Sequence, residues 1–432
     1  MSTNTPTTQP GPAKRGWTSR LDTIETARRY RDFRLVWIGN FFAQAAQWIQ
    51  ILTVGWLVLK LTDGNALMTG TVIGIRTFPV LLFGPWAGVL ADRVDRRKVI
   101  VVTQLCMAAA AMAFAVLVIA TDLDAETPSG PLKWWHPFIY MLVAGVAHSI
   151  IQPVRNAMVA NTVPKEALVS ALALNAMVYP STRIVAPAIG GLVIATLGFN
   201  WNFFIEALGY LIMVVLMIPV RLPYRARDRI RDESLLASLR GGIAYVWQEK
   251  PVLQLIVMSF IPNFVFTPIL FLLPVITSQV LDRGADAGGI LSAALGVGGI
   301  VSAVIIATVG FKVSKGAATF LGLAGGCVFV LVFAQSTWYA VSFAALAGLG
   351  FCQYYFRVAN STLIQLMIPD RLRGRVMSIY QLDNGFVPLA TLITSWLIHV
   401  WNPRDVYTVI AVLSLILVLV QLAVFRQVRR LA

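Results

Sequence analysis

The sequence is short of charge, and most of all of acid. Of 432 residues only 13% are Asp, Glu, Lys or Arg, and 35 basic residues stand against 20 acidic ones. A soluble domain carries about 25% charge, so a water-soluble enzyme of this length would have to coat its surface with Leu, Val and Phe. That class is excluded. Cysteine is scarce too: Cys106, Cys327 and Cys352 all lie in apolar runs without CxxC spacing, which argues against a disulfide framework or a thiolate zinc site. Histidine occurs three times, with no HExxH and no GxxxxGK[ST] phosphate loop, so metallopeptidase chemistry and ATP-driven pumping lack their motifs. The one DxD string, Asp122-Leu123-Asp124, sits in an acidic loop without a basic or aromatic companion, and leaves a polytopic membrane enzyme as a remote alternative. No metal and no cofactor are expected.

What the chain does have is apolar length. Apolar residues make up 57% of it, and the mean hydropathy is +0.73. Disorder is incompatible with that content, and an outer-membrane barrel would show short alternating segments instead of long unbroken runs. Apolar windows recur at about 33–60, 66–90, 99–121, 137–159, 169–197, 201–220, 252–280, 287–310, 316–335, 338–364, 375–398 and 405–426, each near the roughly 20 residues that cross a bilayer. The expected fold is therefore an all-α polytopic membrane protein with twelve transmembrane helices. No short apolar segment with a cleavage site precedes the first window, so no cleavable signal peptide is expected.

A net charge of +15 and a pI near 10.1 would suit a nucleic-acid partner, but the basic residues follow the spans. About 27 of the 35 fall in the termini and even-numbered loops. Lys60, Lys133, Arg283 and Arg404 fall in odd-numbered loops, and Arg76, Arg155, Arg183 and Arg357 fall inside spans. By the positive-inside rule both termini are cytoplasmic, and the basic loops meet anionic lipid rather than nucleic acid.

The chain divides into a cytoplasmic tail (1–32), a six-helix bundle (33–220), a basic linker (221–250), a second six-helix bundle (251–426) and a short tail (427–432). In the linker, Leu235, Leu239, Ile243 and Val246 recur at helical spacing, as in an amphipathic helix at the membrane surface. The halves echo one another: PVRNAMVANTVPKEAL after span four is similar to RVANSTLIQLMIPDRLRGRV after span ten. Two parallel six-helix repeats with a site between them near the midplane form a transporter architecture.

The loop after span two reads Gly88-Val89-Leu90-Ala91-Asp92-Arg93-Val94-Asp95-Arg96-Arg97-Lys98. Gly88 allows close helix approach, Asp92 can face a helix N-terminus, and Arg93, Arg96 and Arg97 can hold anionic headgroups. The string resembles the G-x-L-A-D-R-x-G-R-[RK] signature of the major facilitator superfamily, with Asp95 where the general motif has Gly. The resemblance implies a conformational latch. In span five, Arg183-Ile-Val-Ala-Pro187-Ala-Ile-Gly190-Gly191 is similar to the antiporter motif G-P-x-x-G-G, with Ala186 at the first Gly. Together with RDFRLVWIGNFFAQ, Pro153-Val154-Arg155 and IPDRLRGRVMS, these strings resemble the branch holding the enterobactin exporter and the macrolide-efflux proteins. That branch implies proton-driven export of a bulky amphipathic siderophore- or drug-like compound from the bacterial cytoplasm, across the inner membrane, by a monomer. A passive facilitator or an importer of the same fold is the alternative.

Polar residues form stripes on four spans: Asn40, Gln44 and Gln47 on the first; His148, Gln152 and Arg155 on the fourth; Ser259, Asn263 and Thr267 on the seventh; Gln353, Arg357 and Asn360 on the tenth. Taken singly, each reads as an interhelical hydrogen-bond partner. Four stripes on the four spans that line the cavity of the superfamily fold predict substrate contact by Asn40, Gln44, Gln47, His148, Gln152, Asn263, Gln353 and Arg357. Charges inside spans are costly and hence paired or functional. Arg76 and Asp383 both fall near the midplane, about 15 and 13 Å from their span ends, which makes Asp383 the expected proton-coupling acid and Arg76 its resting partner. Glu206 and Arg183 are further coupling candidates. Glu206, close to the outer end of span six, also reads as a water-facing or hydrogen-bonded carboxylate, and Arg155 and Arg357 as snorkelling side chains.

Overall fold

The computed structural model describes residues 25–79, 82, 95–123, 129–221 and 235–429. The first bundle contains α1 (Arg31–Leu61), α2 (Ala66–Ile75), α3 (Arg96–Ile119), α4 (Trp135–Asn161), α5 (Leu168–Leu197) and α6 (Phe199–Met217). After α7 (Leu235–Gln248), the second contains α8 (Lys250–Ile261), α9 (Thr267–Phe271), α10 (Leu273–Gln279), α11 (Ala285–Val309), α12 (Lys315–Gln335), α13 (Tyr339–Met367), α14 (Asp370–Gln381), α15 (Val387–Val400) and α16 (Pro403–Val424). Among the described residues, nine continuous helical stretches are long and apolar enough to cross a membrane. The architecture is all-α and polytopic.

Local sequence accounts for the boundaries. Asn65, Asp95, Ser314 and Asn402 each accept a hydrogen bond from a backbone N–H in the first turn of α2, α3, α12 and α16, satisfying donors that a helix start leaves open. Asp95 thus caps α3 through the Arg97 N–H at 3.0 Å, a local use for an acid where the general motif has glycine. Gly198, at φ 93°, is the single residue between α5 and α6; its left-handed backbone reverses the chain where a side chain would strain it.

The polarity of the fold is inverted relative to a water-soluble one. Gln50, Thr53, Asn202, Glu206, Asn360 and Thr391 are wholly buried, whereas Val116, Leu192, Val215 and Leu413 are more than half exposed on the outer faces. Lipid contributes no drive for burying leucine, so the interior is held by close packing and interhelical hydrogen bonds.

Among the described residues, three of the expected spans are not simple helices: the helix of span two ends at Ile75, before a turn at Arg76 and Thr77. Span seven is α8, a π turn over Pro262–Phe266, then α9 and α10, with Pro262, Pro268 and Pro274 each removing a backbone donor. Span eleven is α14, a 3-10 turn over Leu382–Phe386, and α15. The window at 375–398 therefore begins earlier, at Asp370, and is broken at Asp383. Irregular backbone at membrane depth is tolerated where it lines a cavity.

The bundles meet mainly along two helix pairs, α5 with α11 and α2 with α15, with α1 also touching α9 and α10, so spans two and eleven abut as expected. At the first pair the backbones touch: a methyl group at Gly191 would collide with the Ala285 carbonyl, and one at Gly289 with the Pro187 carbonyl. The linker helix α7 lies against α14, with Tyr245 Oη donating to the Met367 carbonyl at 3.2 Å.

Candidate functional site

Between the bundles lies a cavity of about 420 Å³, within the roughly 300–1,000 Å³ of small-molecule sites. Trp48 (α1), Gln152 (α4), Tyr179 and Arg183 (α5), Asn263 (the π turn), Gln353, Tyr354 and Arg357 (α13) and Asp383 (the 3-10 turn) face it. Beyond Leu270 and Phe271 the halves close. Ile184 packs on Gly296, Trp56 on Gly288 and Pro274 on Gly55, and Gln279 Nε2 donates to the Gly64 carbonyl at 2.7 Å. Of the lining residues, Tyr179 is 47% exposed and Arg357 is exposed. Among the described residues the cavity is shut on the side of the α1–α2 loop.

A second polar region is enclosed within the first bundle. Glu206 of α6 is wholly buried, and its Oε1 accepts from Gln50 Nε2 at 2.7 Å and Tyr140 Oη at 2.5 Å. Next to it is a water-sized pocket of about 10 Å³ lined by Gln47, Gln50, Arg76, His148 and Tyr210 among others. Arg76 Nη2 donates to Gln47 Oε1 at 3.4 Å, and Arg155 Nη1 to Gln44 Oε1 at 3.2 Å. Asn40 Nδ2 donates to Asn175 Oδ1 at 3.1 Å. Asn202 ties α6 to both neighbours, donating to Thr53 Oγ1 and to the Gly190 carbonyl, each at 2.9 Å.

The structure divides the expected substrate contacts. Gln152, Asn263, Gln353 and Arg357 line the central cavity. Gln47 and His148 line the enclosed pocket, while Asn40 and Gln44 bond within the first bundle. The reason is geometric: α1 packs largely against its own bundle, and its polar residues find partners on α5 (Asn175), α4 (Arg155) and the end of α2 (Arg76). Arg155 does not snorkel; it is 3% exposed and held by Gln44. The expected Arg76–Asp383 pair is not formed in this conformation. Although α2 and α15 touch, Arg76 turns into the first bundle, and the carboxylate whose charge it senses is Glu206. Glu206 is buried and hydrogen-bonded, not water-facing. Gln50, Tyr140 and Tyr210, which complete this cluster, escaped the sequence reading. Gln50 follows Gln47 by three residues on the same stripe and was the available signal; the tyrosines carry none.

Of the loop string after span two, Gly88, Asp92 and Arg93 lie outside the described residues. Arg96 is buried, and the Arg97 guanidinium donates to the Ile218 carbonyl, so the end of the string is fixed to the start of α3 and the end of α6. Pro187, Gly190 and Gly191 occupy the contact itself: Pro187 and Gly191 face α11 across the bundle interface, and Gly190 faces Leu52 and Asn202 within its own bundle.

The sequence profile described as "transmembrane secretion effector" matches residues 27–428. Among curated proteins, the staphyloferrin A transporter of Staphylococcus aureus is 24% identical, over 88% of this chain and 93% of its own length. Macrolide efflux protein A of Streptococcus pyogenes is 25% identical over 58% of this chain and 60% of its own. The enterobactin exporter of Shigella flexneri is 24% identical over 86% and 85%. Among solved structures, a bacterial homologue of the iron transporter ferroportin in an inward-facing state superposes with a TM-score of 0.69 at 16% identity, covering 93% of this chain and 99% of that one. At that identity the likeness is one of fold.

Proposed function

The chain belongs to the transmembrane secretion effector family of the major facilitator superfamily, a family of multi-pass efflux transporters and not of enzymes, and from that premise we propose that it exports a bulky amphipathic small molecule, siderophore- or drug-like, in exchange for protons. The observation that carries this reading is the large cavity between the bundles, closed on the side of the α1–α2 loop. A site reachable from one side at a time is what alternating access requires. With the basic loops and both termini in the cytoplasm of a bacterial cell, the closed side is the outer one and the conformation is ready to load from within.

The halves 33–220 and 251–426 rock about this site. The α5–α11 contact at Gly191 and Gly289 forms the outer gate, and the Gly88–Lys98 string, with Asp92 at its centre, latches the inner one. Asp92→Asn accordingly lowers transport with expression intact; unchanged transport sinks the latch.

Two acids inside spans can carry the proton, and their surroundings divide the roles. Asp383 lines the cavity and meets the substrate. Glu206 lies outside it, enclosed by Gln50 and Tyr140 and facing the pocket that holds Arg76 and His148. We assign the exchanged proton to Glu206, since loss of its charge re-sorts a buried network spanning α1, α2, α4 and α6, a bistable element that both faces can bias.

Uptake of staphyloferrin A, enterobactin and a macrolide into inside-out vesicles, with and without an acid interior, tests the reading. Accumulation of at least one compound that collapses with a protonophore is the expected result. Equilibration indifferent to the gradient makes the protein a passive facilitator and overturns proton exchange.

A further inference from the structure

We infer that the central cavity is an anion site in which Arg183 and Arg357, one from each bundle, clamp the carboxylate of an amphipathic organic anion. This rests on the reading that the cavity holds the transported molecule, and it names that molecule's charge.

The argument starts from charge balance. Arg183 and Arg357 both line the cavity, and Asp383 is the one carboxylate among its described lining residues. Neither guanidinium is ion-paired with an acid among the described residues, and at least one positive charge is left over. Arginine stays protonated at any physiological pH, so this charge cannot be relieved by losing a proton. A lasting charge at membrane depth is costly, and is kept where a ligand or a pathway uses it.

The arginines inside spans of the first bundle are not treated alike. Arg76 and Arg155 each reach a glutamine acceptor. Arg183 instead lies with its guanidinium over the Trp48 ring, 5.8 Å from the centroid, at the cavity wall; its buried Nε, like those of Arg76 and Arg155, has no acceptor. Trp48 is in turn braced edge-on by Tyr179 at 5.5 Å. The donor fork is therefore positioned at the cavity wall by an aromatic face. Arg357 is exposed to the same cavity from α13. An anion between the two arginines fits the planar, two-pronged geometry that guanidinium offers to carboxylate. Low-dielectric walls such as Leu270 and Phe271 strengthen the field. A cationic ligand would find one acid against two guanidiniums.

Because α5 and α13 belong to different halves, such an anion bridges them, and its arrival biases their relative position. The charge also bears on coupling. An anion repels ionised Asp383, so ligand and a proton on Asp383 would travel together; exchange needs an acid outside the cavity, and Glu206 is placed there.

Two dyes built on one xanthene scaffold test the inference with the full chain in nanodiscs at low salt: anionic carboxyfluorescein and cationic rhodamine 6G, followed by fluorescence anisotropy. Carboxyfluorescein is expected to bind saturably and rhodamine 6G not to. Arg357→Gln, at an exposed cavity position that does not burden folding, weakens the anion about tenfold or more, the scale of a hydrogen bond to a charged group. Arg183→Gln does likewise, Arg183→Lys retains part of the binding, and Asp383→Asn tightens it. Equal binding of rhodamine 6G, anion binding that survives both glutamine substitutions, or binding of neither dye overturns the inference. Gradient-driven export of rhodamine 6G without carboxyfluorescein binding would refute the anion site and leave proton-driven export standing; anion binding without gradient-driven export of any compound would do the reverse.

Discussion

The two bundles carry matching polar stripes and use them in opposite ways. In the first, Asn40 closes on Asn175, Gln44 on Arg155 and Gln47 on Arg76, so α1 spends its amides on its own bundle. In the second, Asn263, Gln353 and Arg357 open onto the cavity, and the spans that carry or face them are broken at Pro262–Phe266 and Leu382–Phe386. There are exceptions on both sides: Gln152 of the first bundle lines the cavity, and Asn360 of the second donates to the Leu255 carbonyl at 3.2 Å. Side chains tied to one another give the first half an enclosed polar interior. Broken helices let the second half shape the ligand site. A transporter needs both: a store for charge that substrate does not touch, and a wall that it does.

The contact between the halves is where the comparison breaks most easily. Gly191→Leu or Gly289→Leu inserts a side chain where backbone already meets backbone, so the outer gate cannot shut and transport is expected to fall to background in vesicle assays. Wild-type rates in either variant would mean that the gate closes elsewhere.

A paired substitution sharpens the contrast between stripes. Gln353→Ala, on the cavity wall, should raise the half-saturation concentration about tenfold, a loss near 1.4 kcal/mol, with folding unchanged. Gln44→Ala should do the opposite. It leaves Arg155 buried without its acceptor and is expected to cost about 1–3 kcal/mol of stability, read as a lowered midpoint of thermal unfolding, while half-saturation stays within a factor of two. Equal effects on affinity would place both residues at the ligand. The smallest change comes from Tyr140→Phe, which removes one interhelical hydrogen bond to Glu206 and should cost about 0.6 kcal/mol, the average for such bonds in membrane interiors. A thermal midpoint identical to wild type would show that the 2.5 Å contact contributes nothing.

The all-α, polytopic character of the chain was legible because hydropathy over about 20 residues is a strong, local signal. The Pro187–Gly191 string was equally readable, since only small residues permit the approach seen at Gly191. The partners of polar residues were not. Gln44 and Gln353 look alike in sequence, and which one reaches the cavity depends on whether a neighbouring helix supplies an acceptor first. The Arg76–Asp383 pairing followed from equal depth in adjoining spans, but depth leaves rotation about the helix axis undetermined, and Arg76 faces Gln47 instead. Tyr140 and Tyr210 carry no pattern at all; an isolated tyrosine in a span reads the same whether it faces lipid, an interface or a carboxylate.

The account turns on a division between an enclosed acid that carries the proton and a cavity acid that meets the ligand. Uptake into inside-out vesicles under an acid interior, with whichever compound of the panel the wild type concentrates, compares Glu206→Gln with Asp383→Asn most directly. Glu206→Gln is predicted to lose concentration against the gradient and still equilibrate the compound, while Asp383→Asn still concentrates it with a shifted half-saturation. Full concentration by Glu206→Gln, with Asp383→Asn reduced to equilibration, would contradict the account and return the proton to the cavity.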